Sequence, residues 1–148
     1  MNYQTVVRWV TLAISSSLLI TAYAIPCLRF VVDNGRGIEL TGLELTASGS
    51  LGLIFLLLPS IGCFATPLWV ASCFFFLNKH YSRSLRLSVA AIMVGFLGTS
   101  LAFWIPLPTG SGPDEMVLGR FLHGFWIWLA APALIASVST FFLIQPNQ

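Results

Sequence analysis

The chain has 148 residues, of which 57% are hydrophobic and 8% are charged. A water-soluble domain carries about 25% charged residues, so the composition excludes an ordinary soluble globule and indicates a protein embedded in a lipid bilayer. The formal net charge of +2 is too small to indicate nucleic-acid binding, and no low-complexity tract marks a second domain. We therefore predict a single transmembrane domain over residues 1–148.

Four segments without charged residues are long enough to cross a bilayer, because a spanning helix needs about 20 apolar residues. They cover residues 9–28, 51–77, 87–105 and 121–144. The predicted fold class is therefore all-α, an integral membrane four-helix bundle.

The first segment has a second interpretation. Residues 1–24 have the pattern of a signal peptide, with Arg8 before the apolar run and an A-x-A cleavage site at its end. The apolar run continues to Leu28, however, which makes it long enough to span a membrane. We expect the first helix to stay in the mature protein, and the cleaved signal peptide is the alternative.

The connection after the first span repeats a five-residue motif. GIELT at 37–41 is followed directly by GLELT at 42–46. Leu40, Leu43 and Ala47 can share one face of a helix, which predicts a short interfacial helix that lies on the membrane.

The second span contains three helix-weakening residues, Pro59, Gly62 and Pro67. As a straight helix, residues 51–77 would measure about 40 Å at 1.5 Å per residue, which is longer than a hydrocarbon core of about 30 Å. Each proline also removes a backbone donor and clashes with the carbonyl four residues earlier. We expect a second helix that is kinked by its two prolines.

The alternative is a broken helix that exposes backbone groups to a ligand at the same three residues. Polar side chains usually gather at such a break. The neighbours here are Ser60, Cys63 and Thr66, with no carboxylate or amide among them. This composition favours a kinked packing helix over a binding site.

Small residues follow a heptad-like spacing in the third span. They fall on one helical face, at Ser84, Ser88, Ala91, Gly95, Gly98 and Ala102. Small residues let helix backbones approach closely in lipid. The fourth span offers a matching series at Ala130, Ala133, Ser137 and Thr140. We predict that these two faces pack together, and a seam between two copies of the chain is the alternative.

The distribution of charge predicts the orientation. The connection between the second and third spans holds Lys79, Arg83 and Arg86 and no acid, whereas all five acids lie in the other two connections. By the positive-inside rule the basic connection is cytoplasmic. Both termini are then cytoplasmic as well.

The candidate partner-binding residues lie in the two acid-bearing connections and just after them. They are Glu39, Glu44, Asp114, Glu115 and His123. The acids could form one acidic outer surface that receives a basic partner or a cation. An ionisable residue within a span indicates function, and His123 lies near the outer end of the fourth span. No acid accompanies it there, which weighs against a proton relay.

The sequence contains no recognisable catalytic or metal-binding pattern. Cys27, Cys63 and Cys73 form no C-x-x-C pair, and their odd number argues against a disulfide framework. No nucleophile has a base at a recognisable spacing. We expect no enzymatic activity and no cofactor or metal.

Three motifs carry a resemblance. They are ELTG at 39–42, FATPL at 64–68 and GFWIWLAA at 124–131. Together they resemble small four-helix bacterial inner-membrane proteins of uncharacterised function, which usually have Asn in place of Thr66. The resemblance implies a four-helix membrane fold and supplies no catalytic residues.

These observations favour a non-enzymatic binding protein of the inner membrane. Its most concrete form is an immunity protein that binds the membrane-inserted helices of a bacterial toxin. A small transporter or channel component, with its site at the broken second helix, is the alternative. The expected partners are the lipid bilayer and a membrane protein or toxin. A homo-oligomer, in which a second copy of the chain is the partner, is a further possibility.

Overall fold

Helices make up most of the described chain. The computed structural model describes residues 3–32, 35–47, 58–108 and 115–145. Four helical segments in these ranges are long and apolar enough to cross a membrane: Tyr3–Ala24, Ser60–Leu77, Tyr81–Phe103 and His123–Ile144. The predicted set of four apolar helices is therefore confirmed by length and composition.

The bundle consists of these four segments, and a short fifth helix lies outside it. The helices are α1 (Tyr3–Ala24), α2 (42–47), α3 (Ala65–Leu77), α4 (Tyr81–Ser100) and α5 (His123–Ile144). Two 3₁₀ segments extend the bundle helices, with Leu58–Phe64 before α3 and Leu101–Phe103 after α4. In the bundle, α1 packs against α5, α5 against α4, and α4 against α3.

The prediction of an all-α fold is confirmed only in part: the fold is mostly helical, but the two acid-bearing connections form a β-sheet. Its strands are β1 (Pro26–Val32), β2 (Gly37–Thr41), β3 (Leu107–Pro108) and β4 (Glu115–Phe121). The strand order is β2-β1-β4-β3, and all pairings are antiparallel. Since β1 comes from the first connection and β4 from the last, their pairing puts both connections at the same end of the bundle.

Strand β1 explains why the first span was predicted too long. Apolar residues continue from α1 to Leu28, but a proline disfavours the helical conformation of the residue before it. Pro26 is that proline, and α1 ends at Ala24. From Leu28 onward the side chains alternate, with Phe30 buried and Val31 exposed. A period of two is that of a strand.

A tight hairpin joins β1 to β2. The N–H of Gly35 donates to the carbonyl of Val32 at 2.8 Å, and the N–H of Val32 donates to the carbonyl of Arg36 at 3.0 Å. Gly35 has a φ of +78°, a conformation that glycine adopts without steric cost.

The inner face of the sheet packs on the end of the bundle. A buried cluster, which we call the cap core, joins β1 and β4 to α5 and to the 3₁₀ segment after α4. It contains Cys27, Leu28, Phe30, Ala102, Leu118, Phe125 and Leu129. The rings of Phe121 and Phe125 stack beside it, with centroids 4.2 Å apart. The sheet is therefore fixed to the bundle by apolar packing, and its other face, the outer face, points away from the bundle.

The small-residue face of α4 is confirmed as buried. All six predicted positions lie inside the bundle: Ser84, Ser88, Ala91, Gly95, Gly98 and Ala102. Gly98 has its closest neighbours in the 3₁₀ segment before α3, and Gly95 has them in Ala65 of α3 and Trp128 of α5. A Cβ added at Gly98 would lie 2.5 Å from the backbone nitrogen of Gly62, and one added at Gly95 would lie 3.1 Å from the Cβ of Ala65. Close backbone approach is the use that lipid-embedded helices make of small residues.

The matching series predicted on the fourth helix is wrong. Ala130 and Ala133 are half-buried, while Ser137 and Thr140 are exposed and donate to carbonyls one turn earlier. The buried residues of α5 are instead five larger ones and three small ones outside the predicted series: Phe125, Leu129, Pro132, Ile135 and Phe142, with Gly124, Ala131 and Ser139. Spacing identifies a small-residue face, but it does not identify the residues that fill the space beside that face.

Candidate functional site

The predicted helix break lies in a packed part of the bundle. The buried Gly62 has no room for a side chain, since a Cβ there would lie 2.9 Å from the hydroxyl oxygen of Thr99. Pro67 is the third residue of α3 and follows the 3₁₀ segment directly. Pro59 lies in the 3₁₀ segment Leu58–Phe64. The two prolines therefore accompany a change from 3₁₀ to α-helix, and residues 51–57 of the predicted span lie outside the described residues.

The cavity beside this segment is small. Its volume is about 10 Å³, and it is lined by Leu19, Ala65, Thr66, Trp69, Trp128, Leu129 and Pro132. A cavity of that size holds at most about one water molecule, whereas ligand pockets measure about 300–1,000 Å³. Two of its polar side chains are already bonded, since Tyr23 donates to the hydroxyl of Thr66 at 3.2 Å and Trp69 donates to that of Ser15 at 2.9 Å.

Four buried serines join three helices in the bundle interior. The hydroxyl oxygen of Ser72 on α3 lies 2.6 Å from that of Ser88 and 3.2 Å from that of Ser84 on α4. The hydroxyl of Ser139 on α5 donates to that of Ser84 at 3.2 Å. Hydrogen bonds between side chains hold helices together where no water is available. The small-residue spacing predicted that Ser84 and Ser88 would be buried, but not this network.

The end of the bundle opposite the sheet is basic. The buried Arg8 donates from Nη1 to the carbonyl of Leu77 at 3.0 Å, which places a cation at the C-terminal end of α3, where the helix dipole favours it. Lys79, Arg83 and Arg86 are exposed nearby in the chain. The sequence marked Arg8 only as a residue before the first span, because its contact with α3 joins residues that are distant in sequence.

Glu39 lies on the outer face of the sheet. It is directly opposite Arg29 in the pairing of β2 with β1, and the carboxylate Oε1 lies 4.0 Å from Nη1 of Arg29. Both side chains are more than 40% exposed, so this ion pair contributes little to stability.

Glu44 caps helix α2. Its carboxylate accepts from the backbone N–H of Thr41 at 2.7 Å, and its own N–H donates to the hydroxyl of Thr41 at 3.3 Å. This reciprocal pair is a capping box. The Thr41 N–H and hydroxyl both hold the pKa of the Glu44 carboxyl below its usual range.

The remaining predicted residues are separated from these two. Glu115 is exposed at the start of β4, opposite Pro108. His123 is exposed at the first position of α5 rather than enclosed by the bundle, and Asp114 lies outside the described residues. Glu39 and Glu44 are therefore close in sequence, but the structure gives their carboxylates different contacts.

The outer face carries one arginine–arginine pair and one valine–valine pair across neighbouring strands. The sequence analysis did not predict either pair. Arg29 pairs with Arg120, and Val31 pairs with Val117, across β1 and β4. Between these two rungs the register shifts at Gly119, which is the extra residue of a β-bulge. The alternation in β1 was the available signal, but the partners of Arg29 and Val31 depend on a register that the sequence alone does not define.

Cys27 belongs to the cap core and not to a reactive site. Its thiol lies 3.2 Å from the carbonyl of Ala22, and burial raises its pKa to about 11. It is therefore a protonated thiol near neutral pH, and the thiolate is the nucleophilic form. Within the described ranges, no group of three His, Cys, Asp or Glu side chains is placed to hold a metal ion.

Comparison with protein-family models, with characterised proteins and with solved structures found no match. The resemblance to small four-helix inner-membrane proteins therefore stays a prediction. What the protein does has to be argued from its own geometry.

Proposed function

We propose that the protein is a non-enzymatic, multi-pass membrane protein that binds a polypeptide partner through its β-sheet. The observation that carries the proposal is that two connections, distant in sequence, fold into one sheet whose outer face is not covered by the bundle. A loop that only joins two helices needs no such structure. A sheet attached by apolar packing instead holds its exposed residues in a defined arrangement.

The edge of the sheet adds a second mode of contact. Strand β2 lies at one end of the strand order, and within the described residues no strand pairs with its free edge. An edge strand presents backbone donors and acceptors to which an extended segment of another chain can add. The proposed partner is therefore a polypeptide.

The bundle supports the placement in a membrane. Large apolar side chains are exposed along all four long helices, among them Ile14, Val70, Phe74, Met93, Leu97 and Ile144. Such a surface suits hydrocarbon and not water. With the basic end in the cytoplasm, the sheet faces the opposite side of a bacterial inner membrane. That is the side from which a membrane-active toxin arrives, which keeps the immunity protein as the most concrete form of the proposal.

The alternative of a transporter or channel component has less support. Its proposed site at Pro59–Pro67 adjoins a cavity of about 10 Å³, and the Gly62 backbone is covered by α4. Ser60→Ala with Thr66→Val should therefore leave a cellular phenotype intact. Loss of the phenotype in this double variant, with normal protein levels, would favour a site inside the helix.

Site-specific photocrosslinking in cells tests the proposal. A photoreactive residue in place of Val117, on the outer face, should give a protein adduct of discrete mass. The same residue in place of Phe74, which is 63% exposed on α3, serves as the control and should give none of that adduct. The same adduct from both positions, or an adduct from Phe74 alone, would contradict recognition through the sheet.

A further inference from the structure

Two arginines face each other on the outer face of the sheet. Arg29 on β1 is directly opposite Arg120 on β4, so their Cβ atoms lie about 5 Å apart, and like charges in that arrangement destabilise a sheet. Among the described residues, one ion pair, between Arg29 and Glu39, balances part of this charge.

Of the acids that the structure describes, one is near this pair, and it lies beside Arg29. The guanidinium of Arg29 lies across Gly37, where an added Cβ would be 2.8 Å from its Nε, and its Nη1 is 4.0 Å from the carboxylate of Glu39. Arg29 is therefore directed toward β2 and away from β4. Arg120 is exposed, and no acid pairs with it among the described residues.

The other described acids do not serve Arg120. Glu44 is engaged at the cap of α2. Glu115 lies at the opposite end of β4, five residues away, which is about 17 Å at 3.3 Å per residue. The Arg120 guanidinium is thus available to an anion from outside the sheet.

An exposed apolar pair lies next to this charge. Val31 and Val117 are opposite each other and are 39% and 38% exposed. Gly119 keeps the surface beside them low, since a Cβ there would lie 3.0 Å from the Cγ2 of Val31. The surface thus offers a cation beside a shallow apolar area, with both held on paired strands.

We propose that Arg120, Val31 and Val117 bind an extended partner segment that carries a carboxylate side chain and apolar side chains two residues from it, because positions i and i+2 share one face of an extended chain. This inference rests on the proposed function and names the chemistry of the partner. Arginine recognises carboxylates through paired hydrogen bonds, while the valines take the apolar side chain. A lipid headgroup is the less suitable anion, because the outer face points away from the bundle and acyl chains cannot reach the valines there.

Peptide binding to the full chain tests this. The chain would be placed in nanodiscs of zwitterionic phosphatidylcholine, with the labelled peptide Val-Ser-Glu-Ser-Val as probe and fluorescence anisotropy as readout. Its two valines and its glutamate share one face of the extended peptide. Arg120→Glu should weaken binding about tenfold to a hundredfold, as expected for loss of a hydrogen bond between charged groups. Arg83→Glu, the same charge change at the opposite end of the bundle, should leave the affinity unchanged.

A basic peptide and an anionic lipid vesicle distinguish binding of an acidic peptide from binding of a lipid headgroup. The peptide Val-Ser-Lys-Ser-Val should not bind. If vesicles of anionic phosphatidylglycerol bind through Arg120 and the acidic peptide does not, the site recognises lipid and the inference is wrong. It is also wrong if Arg120→Glu and wild type bind the acidic peptide equally. In either case a crosslinked adduct at Val117 in cells would still support a polypeptide partner on the sheet. The proposed function can therefore hold even when the proposed chemistry of the partner is wrong.

A measurement without ligand guards against a purely structural role. If the only interaction of Arg120 within the fold is repulsion from Arg29, then Arg120→Gln should leave the thermal stability unchanged or raise it. A clear loss of stability in this variant would show that Arg120 serves the fold, and would overturn its assignment to a partner.

Discussion

The two copies of the repeated pentapeptide adopt different structures. GIELT at 37–41 is strand β2, whereas GLELT at 42–46 lies in helix α2. The copies differ only in Ile38 against Leu43, a difference too small to explain a change of secondary structure by intrinsic propensity. What differs is the partner each copy finds, β1 for the first and the end of α1 for the second.

The shared threonine marks the change from one structure to the other. Thr41 ends the first copy, and its hydroxyl and N–H form the capping box with Glu44 of the second. The equivalent residue of the second copy, Thr46, donates to the carbonyl of Gly42 at 2.9 Å inside the helix. One residue type therefore starts a helix in one copy and only supports a turn in the other.

The two copies share one packing position. Leu40 and Leu45, the fourth residues of the copies, both pack against the cap core. Leu43 is 62% exposed, because residues two apart on a helix point in different directions. The predicted single helical face over Leu40, Leu43 and Ala47 is therefore wrong, since Leu40 belongs to a strand, although the short helix itself is present at 42–47.

The largest expected effect comes from the first residue of each copy. Gly42→Ala should destabilise the protein by about 1–3 kcal/mol, the usual cost of an overpacked site, because its Cβ would lie 2.6 Å from the carbonyl oxygen of Ala22. Gly37→Ala is the control, since its Cβ meets only the Arg29 side chain, which can move. Thermal unfolding in detergent of both variants measures the difference, and equal losses would show that the two copies are packed alike.

A smaller effect is expected at the last residue of each copy. Thr41→Ala removes the cap of α2 and should cost about 1 kcal/mol, while Thr46→Ala should change the stability by less than about 0.5 kcal/mol. Hydrogen exchange of the amides at 42–46 reports this helix directly. Faster exchange in Thr46→Ala than in Thr41→Ala would contradict the assignment of the cap.

The smallest expected effect is on pH dependence. The folded pKa of Glu44 is lowered by its bonds to Thr41, so the carboxylate stabilises α2 above the ordinary carboxyl pKa, and this is lost as the pH falls through the lowered value. Backbone amide NMR shifts at 42–46 should therefore change during titration from about pH 6 to about pH 3. In Glu44→Gln that titration should be absent, and its persistence would assign it to another group.

Much of the bundle could be predicted from the sequence, because its signals are local and periodic. Four long apolar segments predict four helices by length alone, and the spacing from Ser84 to Ala102 predicts the buried face of α4 because side chains three and four apart share one side of a helix. The pattern T-x-x-E at 41–44 is likewise a local capping signal. Each of these depends on residues within a few turns of one another.

The sheet, the buried face of α5 and the position of Arg8 were decided by tertiary structure alone. Arg29 meets Arg120 only because β1 and β4, separated by three helices in the chain, pair in one register. A shift of one residue would turn every side chain to the other face. The apolar packing of the sheet on the bundle selects that register. The same physics makes one pentapeptide a strand and its copy a helix, since each takes the structure that its neighbours in space complete.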